Sequence, residues 1–454
     1  MAQELMSFAA VVDQTLAASP AIEAGKASLL AAGARREQAA VRPNPTLNLT
    51  GEDVLGSGPF SELGRSEVTF SYQQKFERGG KRAARQRLAT EEQNLLAARQ
   101  QLAVLALIYQ LEQDYRKIQA LQARVRAFDQ QRQLAESLRD IVQQRRERGR
   151  DSDVALDNAE IRLLRLDSLQ QEALRALNNA KLQLQARWQN QLGSPPSALD
   201  LSFDLDSPGS IVAFALEQGS FQQLDEIDSA ELRLQQHPQL LQWGWREARA
   251  QAVLGLEQSK TYQDPTVSAG LRYVQESQDV ALVVGVSMPL ALYNRNRGHV
   301  NAALAELDAV RWQQAEDQLR LQRQYQRFRG EAKQAKRLAE RLQQGLIERA
   351  YEASEKVLQR RRQGAASDLD VYAAQSLVAD LEQQLIDTQE RFHLAQAGQR
   401  FSAATYVQQF PQWFDDRIQS ASNAPDPTQD RKADYNHAPQ QSQPSSSALS
   451  EVQE

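Results

Sequence analysis

The stretch Gly79-Gly80-Lys81 resembles the end of a phosphate-binding loop, which would cradle phosphates with backbone N–H groups. Such a loop needs glycine where this chain has Lys75, and a magnesium-holding Ser or Thr where it has Arg82. The stretch therefore reads as the start of a helix. Four histidines are present, His237, His299, His393 and His437, and none stands at metal-ligand spacing from another. With no cysteine in the chain, disulfides, thiol catalysis and thiolate zinc cages are excluded. No nucleophile and base are paired by spacing. The expectation is a protein without catalytic residues, resident metal or cofactor, and any metal ion it handles would be cargo.

Charged residues instead gather at two recurring stretches. Gly149-Arg150-Asp151-Ser152-Asp153 is echoed by Gly364-Ala365-Ala366-Ser367-Asp368, with Arg146 and Arg361 each three residues before the glycine. Glycine ends helices in a left-handed conformation, and Ser or Asp just after it caps the next helix. Each stretch is thus expected to be the tip of a long helical hairpin. Asp153 and Asp157 follow the first glycine, and Asp368 and Asp370 follow the second. By position alone these acids favour the first turn of a helix, whose dipole attracts negative charge.

The elements that position these tips can be read outward from them. Lys81 to Arg148 carries Leu88, Leu95, Leu102 and Tyr109 every seven residues, a coiled-coil pattern. At about 1.5 Å per residue that helix spans roughly 100 Å. A return helix is expected over 153–191, and a second pair over 299–363 and 368–406. Helices are also expected over 8–42 and 229–262. Between them, Thr46-Leu47-Asn48-Leu49-Thr50 and Val68-Thr69-Phe70-Ser71-Tyr72-Gln73 alternate apolar and small polar residues, as do 266–274 and 279–290. Pro20 is matched by Pro238, Asn44-Pro45-Thr46 by Asp264-Pro265-Thr266, and the run from Phe76 to Lys81 by that from Tyr293 to Gly298. Matches in the same order, at offsets of roughly 215 to 220 residues, predict an internal duplication. The first repeat covers 1–209, with strands near 46–52 and 66–76. The second covers 210–410, and 411–454 is a polar tail whose composition predicts disorder. Four strands that are apolar on one face suit a membrane barrel, yet they cannot close alone, so several copies are required.

In this plan the chain resembles the TolC-type outer-membrane efflux factors, over roughly residues 8–410. It is most similar to the outer-membrane components of cobalt–zinc–cadmium cation exporters. The shorter marks of that branch are Gly56-Ser57-Gly58-Pro59-Phe60, the run from Glu77 to Arg85, and Tyr293-Asn294-Arg295-Asn296-Arg297-Gly298 after Pro289-Leu290. The resemblance implies a mainly α fold with a small β part. Three protomers would build a trimeric α-helical barrel and a twelve-stranded transmembrane β-barrel, four strands from each. It also implies a homotrimer set in outer-membrane lipid and extending into the periplasm. Its partners would be a periplasmic adaptor (membrane fusion) protein and an inner-membrane pump of the proton-driven RND type. Asp370 would face the channel entrance as part of a constriction ring, with Asp368, Asp153 and Asp157 near it. Arg146, Gly149, Arg361 and Gly364 would form the tips that contact the adaptor. The family's further aspartate three residues on is Ala373 here, so the mouth would be less charged.

The formal charge of −5 excludes a strongly basic nucleic-acid-binding balance. The N-terminus Met1-Ala2-Gln3-Glu4 has no basic and apolar signal-peptide pattern. Two other readings compete with a metal-exporting duct: a duct for organic compounds, and a soluble coiled-coil scaffold, which leaves the four strands unexplained.

Overall fold

A computed structural model describes residues 7–54, 56–60, 63–187 and 237–414 of the chain. The expected linker between Gly193 and Gly209, the end of the return helix near Gln191 and the tail beyond Phe414 lie outside them. So does the opening of the helix expected from Ser229.

Helix α1 (Phe8–Ala18) and helix α2 (Pro20–Ala39) meet at Ser19. One helix was expected over 8–42. Proline tolerates only the first turn of a helix, so Pro20 starts a new one, and Ser19 sits extended before it. Strands β1 (Thr46–Glu52) and β2 (Glu67–Lys75) lead into helix α3 (Lys81–Glu147) and its return, helix α4 (Asp153–Ala186). The second half runs through helix α5 (Pro238–Ser259), strands β3 (Thr266–Val274) and β4 (Asp279–Ser287), and helix α6 (Arg297–Arg341). A π-helical segment, Leu342–Ile347, then interrupts the expected continuous helix before α7 (Glu348–Arg362). Helix α8 (Asp368–Ser402) returns, and a turn at Ala403 and Ala404 separates it from the short α9 (Thr405–Gln409).

The four strands form one antiparallel sheet in the order β1-β2-β3-β4. Its register sorts the side chains by face. One face carries the rows Leu49–Phe70–Leu271–Leu282 and Leu47–Tyr72–Ala269–Val284; the other, mostly polar, carries Asn48–Ser71–Gly270–Val283 and Thr46–Gln73–Ser268–Gly285. The apolar face is uncovered: Leu49, Phe70, Leu271, Leu282 and Val284 are all exposed. On the polar face Arg272 reaches Glu67 at 2.7 Å and Glu52 at 3.1 Å. Among the described residues β1 pairs only with β2, and β4 only with β3, so both edges are open.

The main core lies well away from the sheet. Val11, Val12 and Leu16 of α1 pack on Leu105, Ile108 and Leu111 of α3, on Leu177 and Leu184 of α4, and on Tyr406, Phe410 and Phe414. Inside it Glu112, 1% exposed, accepts from Arg400 at 2.8 Å and from the Tyr406 hydroxyl. A buried carboxylate is tolerated when paired and hydrogen-bonded in this way, and losing one partner is costly. These contacts fasten the C-terminal end of α8 to the middle of α3. No helix among the described residues is long and apolar enough to cross a membrane.

Candidate functional site

The two hairpin tips are built alike. At the end of α3, Gly149 has φ +66° and donates to the Arg146 carbonyl at 2.8 Å, while Arg150 donates to Arg145 at 2.8 Å. At the end of α7, Gly364 has φ +76° and donates to Arg361 at 3.0 Å, and Ala365 donates to Arg360 at 2.9 Å. Both are left-handed glycine caps that satisfy the last carbonyls of a helix. No heavy atom stands within 4 Å of where a Cβ would lie at either glycine. Backbone conformation alone therefore selects glycine there.

Ser152 caps α4 by accepting from the Ala155 N–H at 3.2 Å, and Ser367 caps α8 by accepting from Asp370 at 3.2 Å. Only the second cap is reciprocal. The Asp370 carboxylate turns back to accept from the Ser367 N–H at 2.8 Å and from its hydroxyl at 2.7 Å. These bonds hold its carboxyl below the usual range, although the group is fully exposed. The first tip has Ala155 at that place, so it has no such box.

The tips are joined by charge. Asp151 accepts from Arg145 at 2.9 Å and stands 3.7 Å from Arg361, which also pairs with Asp368. Arg361 and Asp151 are only 15% and 10% exposed. Burial pushes the Asp368 carboxyl up; Arg361 opposes this and Asp151 reinforces it. Arg146 pairs with Asp153 on its own tip, where the two are 46% and 77% exposed. Asp157 is exposed on the second turn of α4. The expected residues thus fall into two settings. Arg361 and Asp368 sit in a half-buried cluster with Asp151 and Arg145, whereas Arg146, Asp153, Asp157 and Asp370 face solvent.

Of the residues that tie the tips, Arg361 and Asp368 were expected at the site, whereas Asp151 and Arg145 were not singled out from the sequence. Asp151 lies two residues past a tip glycine, but nothing in the spacing couples it to Arg361. Arg162 of α4 donates to the Tyr372 carbonyl at 3.2 Å, with its guanidinium 5.2 Å from the Tyr372 ring centre. Below this contact lies a groove of about 660 Å³ between α4 and α8, lined by Ile161, Arg165, Leu369 and Asp380.

At the other end of the helices Lys81 does what a phosphate-loop lysine does not. Its Nζ donates to the Asp264 carboxylate at 2.7 Å and to the Tyr262 carbonyl at 2.6 Å. Asp264 also accepts from the Arg78 N–H at 3.0 Å. Burial opposes ionisation of Asp264, but the Lys81 and Arg78 bonds outweigh it and hold its carboxyl low. Gly79 has φ +68°, and a Cβ there would fall 2.4 Å from the Tyr262 ring. His237 is buried, accepts from Gln239 and faces the Phe401 carbonyl at 2.9 Å; His393 is buried in α8 and His299 is exposed. His437 lies outside the described residues. Among the described residues no group of three or more His, Asp or Glu is placed to hold a metal ion.

Comparison with known proteins bears on this arrangement. Residues 11–188 match the family described as outer membrane efflux protein. The chain is 25% identical over 401 residues to the cobalt-zinc-cadmium resistance protein CzcC of Cupriavidus metallidurans, covering 87% of this chain and 88% of that protein. It is 27% identical over 320 residues to the nickel and cobalt resistance protein CnrC of the same organism, covering 68% and 71%. The crystal structure of the outer membrane protein VceC from Vibrio cholerae superposes with a TM-score of 0.67 at 17% identity, over 87% of this chain and 95% of that one. The first half of the chain is thus similar to the outer membrane efflux family, and the chain shares its fold with a solved outer membrane protein.

Proposed function

We propose that the chain is the outer-membrane channel of a tripartite efflux system that exports divalent heavy-metal cations. The observation that carries the duct is the sheet. Its outward rows are apolar and uncovered, its other face is mostly small and polar, and both edges are open. Strands of seven to nine residues at about 3.3 Å per residue run roughly 23–30 Å, close to the apolar band of about 25 Å that spanning barrels present to lipid. Open edges are not tolerated in lipid, so three copies close twelve strands into a barrel with a polar lumen. The α3–α4 and α6–α8 hairpins extend that lumen through the periplasm, and their tips meet a periplasmic adaptor and an inner-membrane pump.

The metal cargo is supported by the relatives, named as resistance proteins for cobalt, zinc, cadmium and nickel. A conduit needs no tight site, because an ion held firmly would not leave. Asp370 and Asp368, with Asp153 and Asp157, would draw cations to the mouth, and choice of ion would rest with the pump. Fractionation and light scattering test the duct. The chain should be found in the outer membrane and behave in detergent as a trimer; a folded, water-soluble monomer would refute it.

A further inference from the structure

The seam between the two halves of the chain provides a template for a seam between chains. Thr46 lies opposite Gln73 in the first hairpin, and Thr266 lies opposite Ser287 in the second. Superposing the hairpins carries Thr46 onto Thr266 and Gln73 onto Ser287. Within the chain the hairpins join with Gln73 opposite Ser268, two residues past Thr266. Repeating that join places Ser287 of β4 opposite Asn48 of β1 in the next copy, and Val286 opposite Leu49. Ser287 and Asn48 both lie on the polar face, and Val286 and Leu49 both on the apolar face. A slip of one residue would set apolar against polar along the whole edge.

The two seams differ in charge at both ends. Near the sheet the internal seam holds buried Asp264 against Lys81, the first residue of α3. The position matching Asp264 is Asn44, and the position matching Lys81, aligned on the helix starts rather than on the sequence run that sets it against Gly298, is Arg297, the first residue of α6; both are exposed. Gly80 and Asn296, the residues before these helices, share the left-handed conformation, which supports the match. At the tips the internal seam holds Asp151 near Arg361. The matching positions, counted from Gly149 and Gly364, are Ala366 and Arg146. In these two pairs the base is kept and the acid is lost, while the Arg272–Glu67 pair of the internal seam is matched by Glu52 and Ala281, which cannot pair.

We infer that the surface which receives a second copy of this chain repeats the internal seam without its Asp264–Lys81, Asp151–Arg361 and Glu67–Arg272 ion pairs, joined with β4 Ser287 opposite β1 Asn48. This rests on the self-assembling duct proposed above. Within each chain the halves are held by ion pairs, while between chains the sheet ladder and apolar rows act without them. Charge therefore leaves the three between-chain seams as the weaker joints of the ring.

The chain has no cysteine, so paired cysteines report the register cleanly. Asn48→Cys with Ser287→Cys should give oxidised dimers and trimers on non-reducing gels. Ser287→Cys with Thr46→Cys or with Thr50→Cys should not, because diagonal neighbours stand about 7–8 Å apart, beyond the roughly 7 Å limit for a disulfide. Leu49→Cys with Val286→Cys reads the same register from the other face, should the first pair disturb assembly. Crosslinking at Thr46 or Thr50 instead, or none in a scattering-verified trimer, would overturn the register. A monomer by scattering, with the unmodified chain, would defeat the assembly reading itself. Asn44→Asp restores one acid and should raise the temperature at which the trimer dissociates in detergent. No rise would remove the Asn44–Arg297 pairing.

Discussion

The two tip arginines occupy matching positions, yet their surroundings differ enough to predict unequal effects. Arg361 is 15% exposed between Asp368 and Asp151, whereas Arg146 and Asp153 are 46% and 77% exposed. Exposed pairs contribute about 0–1 kcal/mol, and removing one partner of a buried pair costs about 3–5 kcal/mol. Arg361→Gln leaves Asp151 with Arg145, so its cost falls between those limits, at about 1–3 kcal/mol. Such a change corresponds to roughly 5–150-fold in the population of an opened tip. Arg146→Gln should cost about 0.5 kcal/mol or less. Two matched amides read this out by hydrogen exchange: Val371, bonded to the Ser367 carbonyl at 3.3 Å, and Leu156, bonded to Ser152 at 3.4 Å. Arg361→Gln should speed exchange at Val371 by tens of fold, and Arg146→Gln should barely change Leu156. Equal acceleration at both would refute the argument that burial separates the two arginines.

Three further outcomes follow from the geometry. Burial depresses His237 from 6.5 to about 4 and His393 to about 3. The unfolded chain then binds protons at higher pH than the folded one, so thermal stability should fall as pH drops from about 6.5 toward 4, by about 3 kcal/mol for His237 alone; a melting temperature flat over that range contradicts it. Asp370→Asn should lower cation selectivity in bilayer recordings, because three charges leave the mouth; unchanged selectivity would take Asp370 out of the entrance. Leu282→Lys places a charge on the apolar face and should cost about 2–4 kcal/mol in a membrane. On a soluble protein's exposed surface the same change would stay within about 0.5 kcal/mol, so the melting shift decides which face meets lipid.

Much of the architecture was legible because it rests on short-range patterns. Alternation at Val68 to Gln73 marks β2, and glycine followed by Ser and Asp marks both tips. The break at Ser19 was visible in Pro20 but gave way to the apolar spacing around it. The π segment at Leu342–Ile347 has no local signal, since Gly345 is tolerated in a continuous helix. What the sequence hid are the contacts between halves. Asp151 with Arg361, Lys81 with Asp264 and Glu112 with Arg400 join residues far apart in the chain. Only the fold brings them together, so charge spacing could not show that the tips are tied.

Whether the duct carries metal ions is tested most directly by deleting the chain from cells that depend on it and measuring growth against two panels. With zinc, cobalt or cadmium the deletion strain should become sensitive, and the intact chain should restore tolerance. A Gly364→Val chain, strained at φ +76°, should fail to restore it for every ion alike. With dyes and detergents growth should be unchanged. Lost dye and detergent tolerance beside intact metal tolerance would contradict the account and make organic compounds the cargo.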